Sequence, residues 1–184
     1  MAFATIDDLT AYLGRAPETT GQAEMALALA TGIIRAETGQ TLSLVENDTV
    51  QLRGGAYVKL ALPERPVVAV DSVTGDTIAS GEWVWQGGNL TRFYGWPDVV
   101  TVTYSHGYAV IPDDVKAITL AVASRILAAN DPSGANVSRE QIGSYSVEYV
   151  RSNDTSAESA FLTDGERAHL RRTYRSAVGM VALR

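Results

Sequence analysis

The chain has 184 residues, no cysteine, 46% hydrophobic residues and a formal net charge of -6. That length fits one domain with enough apolar material for a core, and the lack of cysteine excludes disulfides, thiolate metal sites and cysteine nucleophiles. The acidic balance disfavours binding that works by neutralising phosphates; no apolar run nears the ~20 residues that span a bilayer, and the N-terminus MAFATIDDL lacks the basic-then-apolar pattern of a signal peptide, so a soluble protein made in the cytoplasm is expected.

A short first helix is predicted to follow Thr5, whose spacing from Asp8 resembles a capping box, and to stop at Gly14. The second runs from Thr20 to Thr38, with Gly39 as its stop. Its main stripe is Ala23, Ala26, Leu27, Ala30, Ile33 and Ile34, but Met25, Ala28, Leu29 and Ala36 leave little of the other side polar. A helix apolar nearly all round needs cover on more than one side, and a neighbouring subunit is a natural source of it. Residues 48–108 then turn to period two: TVQL, YVKLAL, VVAVDSV, EWVW, NLTRF and VVTVTY read as short strands separated by Gly, Pro and Asp turn signals. Trp83, Trp85 and Trp96 all fall here and suit sheet packing.

The third helix starts near Pro112 and reaches about Asn130, with Leu120 and Leu127 off its main apolar stripe. A polar loop over 131–141 precedes IGSYSVEYV, which alternates like a strand, and RSNDTSAES reads as a linker. The last helix opens at Thr163, where Glu166 completes a capping box; Leu170, Tyr174, Val178 and Val181 form its apolar face and Arg167, Arg171 and Arg175 a basic stripe. From Phe161 to Arg184 five arginines face two carboxylates, a net +3; the remaining ten basic and nineteen acidic residues leave -9 elsewhere. Such asymmetry suggests that the two parts meet different surfaces. The fold expected is α+β: a helical bundle of about four helices with a small antiparallel β insertion (48–108) between the second and third, in one domain over 1–184, closed by a linker and docking helix over 151–184.

Each residue that suggests chemistry also has a structural role open to it. His106, Asp113 and Asp114 invite a catalytic interpretation, but no G-x-S-x-G elbow specifies an activated serine. Asp113 and Asp114 suit the positive end of a helix, and Pro112 suits its start. His169, flanked by arginines, reads as a solvated or interface residue. There is no H-x-x-x-H pair, EF-hand loop or P-loop, and RGGAY and QGGNL are short enough to be hairpin turns. No catalytic residue, cofactor or metal site is therefore expected.

The order of TIDDLTAYLG, an Ala-rich helix, VTVTYSHGY, IPDDVKAITLAVASRIL, IGSYSVEY and LTDGERAHLRRTYR resembles the head–tail connector (adaptor, or head-completion) proteins of long-tailed bacteriophages. The similarity covers nearly the whole chain. Its most specific part is Gly107, Tyr108, Ile111, Pro112, Asp113 and Asp114. It implies a non-enzymatic virion protein of the neck, forming a homo-oligomeric ring, usually twelvefold, beneath the portal protein. Such a ring presents a platform for stopper or tail proteins, passes DNA through its centre without reading its sequence, and has no membrane partner. On that reading Arg167, Leu170, Arg171, Arg172, Tyr174 and Arg175 dock the portal, Met25, Leu29, Leu120 and Leu127 meet other subunits, and acidic groups line the channel so that phosphates slide past. Three alternatives are a stopper or tail terminator, which would be more β-dominated, a small hydrolase using His106 or His169, and a DNA-binding accessory protein, which the net charge disfavours.

Overall fold

A computed structural model describes residues 2–79, 81–129, 139–142, 145–148 and 162–175. In chain order the elements are α1 (Ile6–Leu13), α2 (Thr20–Thr38), β1 (Val45–Gly55), β2 (Lys59–Ala61), β3 (Val67–Thr74), β4 (Trp83–Gln86), β5 (Asn89–Arg92), β6 (Trp96–His106), α3 (Asp113–Ala129), β7 (Arg139–Ile142), β8 (Tyr145–Glu148) and α4 (Asp164–Tyr174). They fall into two compact units. The first comprises the described residues within Met1–Glu37 and Asp113–Thr173, the second those within Thr38–Pro112 and Tyr174–Arg184.

The first unit holds most of the helical residues. The Thr5 side chain caps the backbone of Asp8, and the Asp8 carboxylate accepts from the Thr5 backbone, so the capping box forms with Asp in place of Glu. Gly14 closes α1 at φ 67°, a left-handed conformation that costs glycine little. On α2 the residues Ala23, Ala26, Leu27, Ala30 and Ile34 are buried, as the periodicity requires. Thr31 joins them because both its polar needs are met: its hydroxyl donates to Leu27 O (2.8 Å) and accepts from Phe3 N (3.1 Å). α3 buries Val115, Thr119, Leu120, Val122 and Ala123. Lys116 of α3 reaches Asp8 of α1 at 2.6 Å. β7 and β8 pair as an antiparallel hairpin, Ile142 opposite Tyr145.

In the second unit β6 is the central strand of an antiparallel sheet ordered β1-β6-β3, and β5 is central in another ordered β2-β5-β4. Val102 lies opposite Val50 on β1 and Val73 on β3. Leu90 lies opposite Leu60 on β2 and Trp85 on β4. The inward residues of both sheets share one core: Leu52, Leu60, Leu62, Val73, Leu90, Trp96, Val100, Val102 and Tyr104. Each fully buried side chain of this kind is worth about 1.5–3 kcal/mol.

A helical bundle carrying a small β insertion is therefore not what forms. Six strands in two antiparallel sheets occupy residues 45–106, most of the strand content lies in the first half of the described chain, and the sheets close a core of their own. The physical reason is length and periodicity. α1 and α4, of 8 and 11 residues, are short for bundle helices, whereas β6 runs for 11 residues and buries Trp96, Val100, Val102, Tyr104 and His106. β7 also departs from expectation, since three of its residues, Arg139, Glu140 and Gln141, fall in the stretch read as a polar loop. The sequence-predicted linker over 151–159, Val178 and Val181 lie outside the described residues.

Glycine substitutions should separate structural need from chance. Gly107 sits at φ 91°, and a Cβ there would stand 2.3 Å from Ser43 O. Gly107→Ala is expected to cost about 3 kcal/mol in urea denaturation, while Gly32→Ala, with open space around its Cβ, should stabilise by up to about 1 kcal/mol.

The Asp8 carboxyl is held down at about 2, against an ordinary 3.8, first by Lys116 and then by the Thr5 groups. A depressed carboxyl stabilises the fold above its unfolded value and loses that effect as pH falls through its folded one. Lys116→Met should then lower stability by about 1 kcal/mol at pH 6, discounted because the carboxylate stays partly solvated. The difference from the parent should shrink between pH 4 and 2, as read by thermal melts.

Candidate interaction surfaces

The stretch that most invited a functional reading, from the end of β6 into α3, is a chain crossing. Gly107 N donates to Pro66 O (2.8 Å), Tyr108 N to Leu42 O (2.7 Å) and Leu44 N to Tyr108 O (2.9 Å). A parallel bridge pairs Ser43 with Tyr108. Ile111 and Pro112 are half-buried, and α3 opens immediately after them with Asp113 and Asp114 in its first turn. Carboxylates there favour the free N–H groups by about 0.3–1 kcal/mol each.

The two histidines differ in exposure. His106 is 2% exposed; its Nε2 lies 3.2 Å from Asp48 Oδ2, and its ring centroid is 5.0 Å from that of Tyr104. Burial raises the Tyr104 hydroxyl well above its ordinary value, away from a proton-donating role near neutrality. His106 thus straps β6 to β1 across the sheet edge. His169 of α4 meets Asp114 of α3 at 2.7 Å.

Two arginines of the α4 stripe reach Glu37 while staying partly in solvent. Arg171 pairs with Glu37 at the end of α2, and Arg167 Nε approaches the same carboxylate at 3.5 Å, an ion pair that falls short of hydrogen-bond geometry. Arg125 of α3 pairs with Glu166, whose other oxygen caps the helix at Thr163 N (2.8 Å). Leu170 is fully buried. Of the side chains assigned to portal docking, Arg171, Arg172 and Arg175 stand exposed, Arg167 and Tyr174 are half-buried, and Arg171 is engaged by Glu37.

The residues assigned to subunit contact also divide. Met25 is 66% exposed and Leu29 51%, so one face of α2 lies uncovered. Leu127 is half-buried. Leu120 is buried within the chain, which corrects the expectation that it awaits a second subunit: the α3 face it shares with Thr119 and Ala123 is already covered.

A surface that periodicity did not reveal lies on the second unit. Tyr57 is 82% exposed, Phe93 86% and Tyr94 68%. The segments carrying them run side by side: Arg92 N and Trp96 Nε1 both donate to Val58 O (2.9 and 3.3 Å), and Gly95 packs so closely that a Cβ would stand 2.8 Å from Gly55 O. Phe93 and Tyr94 meet edge to face at 5.2 Å. Beneath them Arg92, 6% exposed, donates to Gly95 O (3.1 Å), Thr77 O (2.5 Å) and Glu82 (2.5 Å). That ion pair also holds the Glu82 carboxyl below its usual range. The sequence signal was available as an aromatic pair beside Gly in RFYGW, but strand propensity accounts for it equally well.

Among the described residues no cluster of three His, Cys, Asp or Glu side chains could hold a metal, and no helix is long and apolar enough to cross a membrane. No protein-family model matches the chain, and no curated protein matches it in sequence.

Because Glu37 serves two arginines, Glu37→Gln should release the C-terminal part of α4. Stability is expected to fall by about 1–2 kcal/mol, more at low salt than at high, with amide exchange rising in α4 ahead of α3. Unchanged α4 protection would mean that Leu170 alone fastens the helix.

Proposed function

We propose that this chain is a structural subunit of the neck of a long-tailed bacteriophage, a head–tail connector that assembles as a ring against the portal and passes DNA through its centre. The observation that carries the reading is the joint Gly107-Tyr108…Ile111-Pro112-Asp113-Asp114, the most specific part of the resemblance, in which a strand end turns into a helix start. Its aspartates and the neighbouring histidine serve the fold, which supports a non-enzymatic role. The uncovered α2 face at Met25 and Leu29 supports self-assembly. The large β unit restricts the resemblance to the helical elements and the joint.

That β content favours one second reading, a stopper or tail terminator that binds beyond the connector. The two separate in a binding experiment. A connector should co-purify with the portal protein of its own phage in the absence of other neck proteins, and Arg172→Glu with Arg175→Glu should weaken capture at least tenfold. A stopper should be captured only once a connector ring is present. Capture by neither, together with normal DNA-filled, tailed particles from a deletion phage, would overturn both.

A further inference from the structure

We infer that the aromatic cluster Tyr57, Phe93 and Tyr94 is a docking surface for a second copy of this chain, seating on the uncovered α2 face led by Met25 and Leu29. The inference deepens the ring reading and rests on it for the final assembly, but the contact itself is argued from the surfaces.

Solvent-exposed aromatic rings are common singly, yet three on adjacent segments with the backbone locked beneath them are not explained by folding. Arg92 is the lock. A guanidinium with 6% exposure joins the β3–β4 connection, through Thr77 O and Glu82, to the turn after β5, through Gly95 O. Its three partners fix the residues on either side of Phe93 and Tyr94 while leaving both rings in water. Rigid aromatic side chains on a fixed backbone lose little freedom on binding, which is why they dominate contact energies.

The area fits a protein partner. Buried aromatic side chains cover about 150–250 Å² each, so three supply roughly 600 Å² of the ~800 Å² that one partner contributes to a standard interface. Val58, also exposed, adjoins Tyr57 in the chain. The chain itself carries a matching surface. Met25 and Leu29 lie one turn apart on α2 with the small Ala28 between them, leaving room for flat rings. The rims are of opposite sign: exposed Lys59 lies two residues beyond Tyr57, and exposed Glu24 directly precedes Met25. Because the two surfaces differ, the contact is heterologous, and heterologous contacts repeat from copy to copy into rings or filaments rather than stopping at a dimer.

The absence of cysteine makes the test clean. Met25→Cys with Tyr94→Cys, and Leu29→Cys with Phe93→Cys, are oxidised with diamide at high protein concentration, alone and with the portal protein. A ladder of covalent multimers from either pair is expected, with each single-cysteine variant giving no species above a dimer. Adding Tyr57→Ser to a pair should reduce the ladder at least tenfold while leaving the thermal melt within a degree or two of the parent. Efficient dimers from Tyr94→Cys alone with no ladder from the pairs would make the patch self-complementary and overturn the inference. No multimers under either condition would overturn it as well. Portal capture measured on the same preparations keeps the two ideas apart: a ladder without capture leaves the contact standing and removes the neck reading, whereas capture without a ladder does the reverse.

Discussion

The strand unit depends on one close backbone approach. At Gly107 the chain leaves the central strand β6 and passes against Ser43 so tightly that any side chain would enter the carbonyl oxygen. The same two residues, Gly107 and Tyr108, exchange hydrogen bonds with Pro66, Leu42 and Leu44. Those partners lie at the approaches to β3 and β1, the strands that flank β6. Register in a sheet with a buried face is unforgiving, because a slip of one residue turns every inward side chain outward. A crossing that pins both flanking strands near the same end of β6 therefore protects the inward set of Val100, Val102 and Tyr104. His106 completes this end. Its ring is buried beside Tyr104, and Asp48 on β1 accepts or shares its Nε2 proton at the rim. Asp48 answers one ring nitrogen of this buried imidazole; the other, Nδ1, has no partner among the described residues.

Electrostatics organises the helical unit differently. Most of its ion pairs connect helices, Lys116 to Asp8, Arg125 to Glu166, and Arg167 and Arg171 to Glu37, while Arg167 also approaches Asp164 within α4; His169 bonds to Asp114 across α4 and α3. Isolated exposed pairs contribute little, about 0–1 kcal/mol each. Glu37, however, is mostly shielded from solvent and is approached by two guanidinium groups, so removing it leaves two cations competing for water at a partly closed site. The +3 of the C-terminal segment therefore describes its composition and not its free surface. Part of that charge is answered by an acidic residue more than a hundred positions earlier in the chain: Arg171, Arg172 and Arg175 of the predicted set are all exposed, but Arg171 is already paired with Glu37.

Local features were legible in the sequence and their combination was not. Thr5 with Asp8, and Thr163 with Glu166, announced helix starts because capping is decided within three residues. Gly14 and Gly39 announced helix ends for the same reason. Alternation revealed the strands one by one, but period two says nothing about which strand pairs with which, so two sheets sharing a core were read as a small insertion. Leu120 shows the matching limit for helices: a position off the main stripe can be covered by the chain's own fold or by another chain, and periodicity treats the two alike. Arg139, Glu140 and Gln141 escaped because three polar residues carry no alternation to detect, and their strand character comes from the paired strand β8.

The same limit explains why the aromatic cluster was invisible before the fold. Phe93 and Tyr94 follow Arg92 directly, and a reading by residue type assigns the arginine to water and the rings to the core. The structure inverts the assignment. Burying a guanidinium is unfavourable unless its donors are met, and here two carbonyls and a carboxylate meet its two terminal nitrogens, although Nε is left without a partner among the described residues. Leaving adjacent aromatic rings in water forgoes stabilisation that turning them inward would supply. A chain that buries its charge and exposes its rings at neighbouring positions gains no stability from the exchange. What it gains is a fixed apolar projection, the feature on which the inferred copy-to-copy contact rests.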